Sequence, residues 1–495
     1  MKKILFTALV GLCACGMSLA QGELDAFRLS STDMTGTARG QAMGGAFGAL
    51  GGDATGVAIN PAGLGVYRSS EVSSTLDYSA IHTKSDEAKS STATFNFNNI
   101  SYVGYFPIYG ESLRTVNFGF AYNRVKNFER KYFAHGSNIP GSISDFIANS
   151  ASENSLIIDL AYHGWIVDED PSGNGYTGLF HDETTSPDLE LSEKGSIVNY
   201  DFSLGFNLLD QWYFGGTLTV SDIFYQSSIY YTEGFQKGGY INWDTYNNET
   251  RGSGYQLKLG AIWRPIDELR LGIAFHSPTW TTLTHYYDAA TKANYMYADG
   301  TLINQDNHRT FDPNDYYLSS PQRWIFSGAY IFGSKAIFSL DYEIKNYAQM
   351  KLRDIYYYPL EEDNRVVKRD YAPSSTLRAG LEYRFTSRFS GRLGYSWVQQ
   401  PYTEKYREAE EIFPDFYGTD FSYEIGGDKQ YFTAGLGYRI SPEVSLDLAV
   451  VYRTQNGKYY YYPNPYDDLS TAELHNFASI KNTAFTTLLT FGYKF

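Results

Sequence analysis

Apolar and polar residues alternate along many segments of this chain, most clearly in its C-terminal part. From Thr376 to Phe385 the odd positions are apolar, whereas the even positions include Arg378, Glu382 and Arg384. A period of two places successive side chains on opposite faces of a β-strand. The same pattern recurs in segments 338–345, 388–397 and 444–453. Strands with one apolar and one charged face are typical of a membrane β-barrel with an apolar exterior and a polar lumen.

The alternation and the turn residues between segments predict fourteen strands. We place them at residues 71–82, 95–106, 114–125, 196–208, 211–226, 252–264, 268–285, 322–332, 335–350, 374–385, 388–399, 429–440, 443–456 and 481–495. Short turns such as Gly333-Ser334 alternate with long polar segments, of which 126–195 between strands three and four is the longest. A soluble β-sandwich, the alternative, has no reason to place all its long loops at one end. We therefore expect an all-β fold, a 14-stranded antiparallel transmembrane β-barrel over residues 69–495.

The stretch from Ala26 to Tyr67 differs from the rest of the chain. It is rich in Gly and Ala, has no sustained apolar period and cannot build a core of its own. A barrel of about 8 strands is filled by its own side chains, whereas barrels of about 16 strands enclose a channel, so fourteen strands should leave an opening. We expect residues 21–68 to be an N-terminal plug in the lumen that begins on the periplasmic side, because it precedes the first strand. The residues expected to shape or gate the plug are Phe27, Arg39, Gly44, Gly45, Asp53, Asn60, Pro61 and Ala62.

The first twenty residues predict a secretory signal peptide. Two lysines are followed by the apolar run Ile4–Leu12 and the small-x-small site Ser18–Ala20, which favours cleavage before Gln21. Both cysteines, Cys13 and Cys15, fall within this leader. They loosely resemble a lipoprotein processing site, which is the alternative. On the main interpretation the mature chain has no thiol.

The amino-acid composition limits the classes of ligand and partner that the protein is expected to bind. Of the 495 residues, 17% are aromatic and 45 are tyrosine, which suits a protein with many half-exposed amphipathic positions. The net charge of -15 argues against a nucleic-acid surface, which needs clustered Lys and Arg. The glycine-rich run 44–52 is not followed by the Gly-Lys-Ser/Thr of a phosphate-binding loop. We expect no catalytic residues, no metal site and no cofactor.

The C-terminus carries a further signal. Phe491, Tyr493 and Phe495 share one face of the last strand, and Phe495 is the final residue. A terminal aromatic on an alternating strand resembles the signal that the outer-membrane barrel-assembly machinery recognises. The alternative is a last strand that merely closes a sheet.

Residues Phe27–Ser31, the Gly/Ala-rich run and Asn60-Pro61-Ala62 resemble the N-terminal hatch of the FadL/TodX (OMPP1) family of outer-membrane transporters. The resemblance implies a 14-stranded plugged barrel in the bacterial outer membrane that passively transports long-chain fatty acids or aromatic compounds. It also implies capture at outer loops, plug movement and lateral release at a kink in the third strand, here at Phe118 and Gly119. The implied partners are a hydrophobic ligand, outer-membrane lipid and lipopolysaccharide, with the protein as a monomer.

Other functions stay open at this point. His135, His163 and His181 lie in the long insertion, so a haem-uptake barrel is one alternative. FadL-like barrels also serve as scaffolds or shuttles in protein secretion, with the insertion as a docking surface. A barrel-embedded lipid hydrolase is a third alternative, because such catalytic residues assemble only in space.

The outer loops carry two structural predictions. Residues 142–164 predict one or two short amphipathic helices that form a lid or a docking surface. Tyr356–Tyr358 and Tyr459–Tyr462 are expected to belong to an aromatic girdle at the headgroup level, with a ligand-collecting surface as the alternative.

Overall fold

The structure is a computed structural model that describes residues 22–86, 88–110, 112–149, 155–173, 175–179, 183–296, 300–408, 421–464 and 476–495. The predicted signal peptide, residues 1–20, lies outside these ranges, as do Cys13 and Cys15. None of the described helices combines the length and the apolar character needed to cross a membrane.

Fourteen antiparallel strands of the described residues close into one barrel, as the alternation predicts. The ring closes where Glu71–Lys84 of the first strand pairs with Lys481–Lys494 of the last. Four strands bend and then resume in the same direction. The strands are β1 (Glu71–Lys84), β2 (Lys89–Pro107), β3 (Leu113–Asn127), β4 (Thr184–Leu208), β5 (Trp212–Phe235), β6 (Tyr240–Trp263), β7 (Leu269–His276 and Trp280–Tyr286), β8 (Asn314–Ser319 and Arg323–Phe332), β9 (Ala336–Asn346 and Lys351–Arg353), β10 (Pro373–Arg384), β11 (Phe389–Val398), β12 (Tyr423–Gly426 and Lys429–Arg439), β13 (Val444–Tyr460) and β14 (Phe477–Lys494).

The helices of the described residues are short. Three lie in the N-terminal segment and are followed by the 3-10 helix Pro61–Val66; another 3-10 turn, Tyr347–Gln349, follows the first part of β9. The α-helices are α1 (Glu23–Ser30), α2 (Ala38–Ala42), α3 (Ala54–Ile59), α4 (Ile143–Asn149), α5 (Ser155–His163), α6 (Glu361–Asp370) and α7 (Glu404–Glu408).

The two faces of the barrel wall differ as the sequence pattern predicts. Leu381 on β10 is 43% exposed and Leu393 on β11 is 61% exposed, whereas the adjacent Glu382 and Arg392 are 2% and 7% exposed. Apolar side chains therefore form a lipid-compatible exterior, and charged ones face the lumen. Inside, the charges pair with each other: Arg392 Nε donates to Glu382 at 2.7 Å.

The two ends of the barrel are unlike. At one end, which we call the turn end, the strands are joined by the short connections 108–112, 209–211, 264–268, 333–335, 385–388 and 440–443. These confirm the six predicted tight turns. The longer connections lie at the opposite end, which we call the lid end.

The strands reach farther at the lid end than the sequence pattern indicated. β4, β5 and β6 contain 25, 24 and 24 residues, and β4 begins at Thr184, inside the predicted insertion 126–195. The long connections predicted after β1 and β5 are instead the short turns 85–88 and 236–239. Beyond the lipid-facing band the outer face of a strand meets water, so polar residues replace its apolar ones and the pattern of an apolar exterior ends.

The rest of the insertion forms a lid over the barrel mouth. Arg130–His135 and Ile139–Pro140 extend β3 along β4, and helices α4 and α5 confirm the prediction of short helices within 142–164. We call residues 128–183 the lid. Its helices share a hydrophobic core with β5, β6, β13 and the hairpin Asp288–Met296/Leu302–Thr310, including Ile147, Leu160, Tyr231, Trp243, Ala293 and Ile303.

The two tyrosine runs have different surroundings. Tyr459–Tyr462 are at most 4% exposed, because three of them pack in the core beneath the lid and Tyr460 stacks on Tyr423. The prediction that this run belongs to the girdle is therefore wrong. Tyr356–Tyr358 are largely exposed at the lid end, and their place in a girdle stays a prediction.

Candidate functional site: the plug and the chamber above it

The N-terminal segment fills the lumen from the lid end to the turn end. At its start Phe27 packs against Tyr347, Tyr371 and Tyr402, with ring centroids 5.2, 5.3 and 5.5 Å apart. These tyrosines lie beside the lid-end termini of β9, β10 and β11. The prediction that the plug begins on the periplasmic side, where β1 starts, is wrong, because position in the chain determines only where the plug ends. We call residues 22–67 the plug.

A ring of glycines on the barrel wall receives the plug. At each of these positions a Cβ would fall within 3.0 Å of a plug atom, mostly backbone, so no side chain fits between wall and plug. We call this set the glycine belt. Its members, on β4, β5, β6, β7, β10, β11 and β12 in turn, are Gly205, Gly215, Gly260, Gly272, Gly380, Gly394 and Gly435. The plug therefore lies in close contact with seven of the fourteen strands at this level.

The glycine belt permits a test with a matched control on the same strand. A Cβ at Gly215 would collide with the Pro61 backbone, whereas a Cβ at the neighbouring Gly216 meets only Leu259 and the Lys258 carbonyl oxygen, at ordinary distances of 3.6 and 3.8 Å. We expect Gly215→Ala to lower the free energy of unfolding by about 1–3 kcal/mol, as overpacking does, and to raise ion leakage in planar bilayers. Gly216→Ala should change neither quantity. Equal behaviour of the two variants would show that the plug does not press on the wall.

Two charged plug residues predicted from the sequence act in different ways. Arg39 Nε reaches across to the wall and donates to Glu382 on β10 at 3.0 Å. Asp53 stays within the plug, where it accepts hydrogen bonds from Thr37 Oγ1 at 2.8 Å and from Thr55 N at 2.9 Å. Its second bond caps the start of α3. Arg39 therefore ties plug to wall, and Asp53 shapes the plug itself.

The Asn60-Pro61-Ala62 sequence builds the turn that leads out of the plug. The Asn60 side chain accepts from Ala62 N at 3.1 Å, which caps the 3-10 helix, and Pro61 occupies the first helical position. Asn60 Nδ2 also donates to Gly48 O at 2.8 Å. The absence of a side chain at Gly260 leaves room for Asn60 against β6.

Gly44 and Gly45 supply backbone conformations that other residues adopt at a cost. Their φ angles are +64° and +76°, in the left-handed region that favours glycine. The turn that they form brings Phe47 and Gly48 to the wall, where their N–H groups donate to Asp341 of β9 at 3.0 and 2.9 Å. Asp341 is thus a plug anchor that sequence reasoning did not identify.

Between the plug and the inner face of the barrel wall lies a chamber with mixed walls. Its apolar lining includes Leu29, Ile59, Ile197, Ile223 and Leu318. Its polar lining combines neutral side chains with ion pairs, of which Lys258–Asp201 is the most buried, at 2.8 Å. A surface of this kind can hold both an apolar and a polar part of one molecule.

Asp33, in the plug, lies between this chamber and a more polar cavity that is lined by Lys126, Lys429 and Arg453. Its carboxylate is 3.3 Å from Lys429 Nζ, 3.8 Å from Lys126 Nζ and 4.0 Å from Arg453 Nη1. Burial by itself would raise the pKa of the Asp33 carboxyl, but these three positive charges outweigh it and hold the pKa well below its usual range. Asp33 therefore remains ionised.

The wall has a gap in its pairing between β2 and β3. The ladder between the two strands begins where Pro107 lies opposite Thr115 and ends where Asn99 lies opposite Asn123. No ladder joins residues 89–98 of β2 to any described part of β3. We call this unpaired edge the seam. Asn96, Asn98 and Arg124 line it from the lumen side, in a small cavity next to the chamber, and Arg124 Nη1 donates to Asn96 Oδ1 at 2.7 Å across it.

The predicted lateral opening at Phe118 and Gly119 is not present there. Gly119 pairs with Val103 on one side and with Ser203 on the other, and the register is continuous through both residues. Gly119 faces Leu64 of the plug, while Phe118 lies on the exterior. A glycine in a strand need not interrupt the ladder when both of its neighbours stay in register.

The other predicted residues lie away from the chamber. Phe491, Tyr493 and Phe495 are exposed on the exterior at the turn end of β14, and their role as an assembly signal stays a prediction. His135 Nδ1 lies 2.7 Å from Asp188 Oδ1 and is exposed on the lid. His163 Nδ1 lies 2.9 Å from the Asp159 carbonyl oxygen, whereas His181 is outside the described residues. Nowhere in the described ranges do three His, Cys, Asp or Glu residues form a group able to hold a metal ion.

Comparison with known proteins identifies the architecture. No protein-family model matches the chain, and no curated protein matches its sequence. Among solved structures, a FadL homologue of Pseudomonas aeruginosa matches with a TM-score of 0.55 at 13% identity, over 94% of this chain and 99% of the other. This chain has the FadL-type fold. The toluene transporter TodX of P. putida matches this FadL-type barrel with a TM-score of 0.51 at 12% identity, over 94% of this chain and 99% of the other.

Proposed function

We propose that this FadL-type barrel is a passive outer-membrane channel for hydrophobic small molecules. The observation that carries the proposal is a partly apolar chamber against the plug, next to a smaller cavity that reaches the seam; Asp33, Met34 and Thr35 line both. An apolar solute crosses the polar lipopolysaccharide layer poorly and gains nothing from an aqueous pore, whereas an apolar lining removes it from water. The FadL homologue and the toluene transporter that share the fold support this class of ligand.

The proposed route begins at the lid end, which faces the outside. The ligand is captured at the outer loops, passes the lid and enters the chamber. Plug movement is confined to the part above the glycine belt, around Phe27 and Asp33, because the belt holds the lower part against the wall. A ligand drives this movement only as far as it binds the open arrangement better than the closed one.

The proposed exit is the seam. Residues 89–98 of β2 have no ladder on the β3 side, so separating the strands there breaks side-chain contacts but no ladder hydrogen bonds. On the exterior, the rings of Phe97 and Tyr122 lie across this edge with centroids 6.0 Å apart. Release at this level delivers an apolar ligand into the bilayer rather than into water.

A cross-link tests the exit. In cells of a Gram-negative host that lacks its own channel of this type, Phe97→Cys/Tyr122→Cys should take up labelled dodecanoic acid or toluene like the unmodified protein. Treatment with a short bifunctional thiol reagent should then reduce uptake by roughly tenfold, because the strands can no longer part.

The control pair is Leu381→Cys/Leu393→Cys, two exterior positions that lie directly opposite in an unbroken ladder. The reagent should leave its uptake unchanged. If both pairs respond alike, the seam is not the exit; if the unmodified protein takes up neither compound, the channel function itself is excluded.

A further inference from the structure

The lid-side edge of the lipid-facing band is visible in the exterior side chains of the wall. Along the first part of β9 the exposed apolar positions end at Ile344. On the exterior of β6, Leu257 is followed by Tyr255 and then by the polar Ser253. Tyr255 lies opposite Trp280 of β7, and both rings are more than half exposed. Because Tyr and Trp concentrate where hydrocarbon meets headgroups, these rings mark the membrane surface on the lid side.

Two exposed cations lie beside this edge, on the last part of β9. Trp280 lies opposite Ser319 of β8, which in turn lies opposite Lys351. Arg353 comes two residues later, opposite Tyr317 of β8. Lys351 and Arg353 are both exposed, and their spacing places them on one face of the strand. The two cations therefore project from the exterior close to the headgroup level.

Stacked tyrosine rings adjoin the cations. The ring of Tyr317 lies on that of Tyr357, with centroids 4.1 Å apart and planes inclined by 18°. Tyr357 and its two neighbours, Tyr356 and Tyr358, are 60–73% exposed. The Asp354 carboxylate holds their turn in place, because it accepts from the N–H groups of Tyr356 and Tyr358 at 2.8 and 2.9 Å. Rings held outward in this way offer apolar area with a polar edge.

The two cations have no counter-charge of their own. Other exposed arginines at the lid end pair with nearby carboxylates, namely Arg251, Arg309 and Arg365. In the described part of the chain, no carboxylate lies within ion-pair distance of Lys351 or Arg353. Asp315, the acid on the same face of β8, accepts instead from Thr284 Oγ1 at 2.6 Å. Unpaired Lys and Arg beside a membrane surface are suited to an anionic lipid headgroup.

We propose that Lys351, Arg353, Tyr317 and Tyr357 form a binding site for the phosphorylated headgroup of lipopolysaccharide. The cations bind a phosphate of lipid A, and the rings pack against its sugars and the first methylenes of its acyl chains. The proposal goes beyond transport. It needs only the orientation proposed above, in which the lid end faces outside, and it holds whether or not a solute passes through the barrel.

Binding of lipid A to the purified full-length protein in mild non-ionic detergent tests the cations. The two probes are phosphorylated lipid A and the same lipid without its phosphates, which share sugars and acyl chains. Lys351→Gln/Arg353→Gln should weaken binding of the phosphorylated probe by roughly tenfold, because charge-assisted hydrogen bonds are lost, and should leave the other probe unchanged. Lys194→Gln, which removes an exposed lysine from the exterior of β4, is the control and should alter neither.

The rings are tested by Tyr357→Ala. This variant should weaken binding of both probes by roughly threefold or more, since it removes packing that does not depend on charge. Tyr109→Ala, which removes a fully exposed ring at the turn end, is the control and should change neither.

Three results would overturn the inference. Equal loss of both probes in Lys351→Gln/Arg353→Gln would show a structural role, and an equal loss of the phosphorylated probe in Lys194→Gln would show unspecific attraction of charge. Displacement of phosphorylated lipid A by excess inorganic phosphate would show a site for free anions. None of these results affects the uptake experiment, which tests the channel function separately.

Discussion

Deleting Phe27 to Gly56 is expected to convert the sealed barrel into an open pore. The deletion removes every plug contact with Glu382, Asp341 and Thr433. It retains the Asn60-to-Tyr67 turn, which packs against β3, β4, β5 and β6. Barrels of about 16 strands enclose an aqueous channel, so a fourteen-stranded barrel without its plug should pass small polar solutes.

The measurement is single-channel conductance in planar bilayers, with the full-length protein in the same lipid as the control. We expect the conductance to rise at least about tenfold, since a water-filled lumen replaces a packed one. The barrel itself should persist, because its ladders are backbone hydrogen bonds between strands, and heat-modifiable migration in unheated detergent gels should be retained. Loss of that migration would instead make the plug a requirement for folding and contradict the prediction.

The second large effect is expected at Lys258. Its side chain is 2% exposed, and its ammonium group pairs at 2.8 Å with Asp201, which is also buried. Lys258→Met leaves the Asp201 carboxylate without its counter-charge in the wall of the chamber, although Asn123 Nδ2 still donates to it at 2.8 Å. Removing one partner of a buried pair costs about 3–5 kcal/mol, and we expect this loss in the free energy of unfolding by urea in lipid vesicles.

A double variant identifies the cause. Adding Asp201→Asn to Lys258→Met removes the unpaired charge, so most of the lost stability should return. The matched control is Arg264→Met, which breaks an ion pair with the exposed Asp267 at the turn end and should cost less than about 1 kcal/mol. If the double variant were as unstable as Lys258→Met alone, the loss would come from packing around the lysine stem and not from the charge.

The barrel was predictable because the membrane imposes a simple pattern. Where one face of a strand meets lipid and the other the lumen, apolar and charged residues alternate, as between Leu377 and Arg384. In the lid-end parts of the strands, which extend beyond the lipid, the outer face no longer has to be apolar. At Leu189, Tyr231 and Trp243 the apolar side chains point inward to the lid core instead, and the outer face is polar. The lid-end halves of β4, β5 and β6 were therefore missed.

The site was predictable only in part, for a different reason. The inward-facing charges at positions such as Glu343 and Arg378 were recognisable from alternation, but their partners come from other strands. Nothing in the local sequence joins Asp33 to Lys126, Lys429 and Arg453, which are brought together by the closure of the ring. The unbroken ladder at Gly119 and the seam above Asn99 likewise depend on strand register, which a single strand does not encode.

The closure of the ring also dictates an order of events during biogenesis. β1 pairs with β14, so the barrel cannot close until the last residues of the chain have been made. The plug is synthesised first, yet Ala38 N finds its partner Thr490 Oγ1 only 452 positions later. Since the plug has no core of its own, we expect it to stay unfolded until the final strand has paired with the first. Because the plug is rich in Gly and Ala, an unfolded plug exposes few large apolar side chains through which the chain could aggregate.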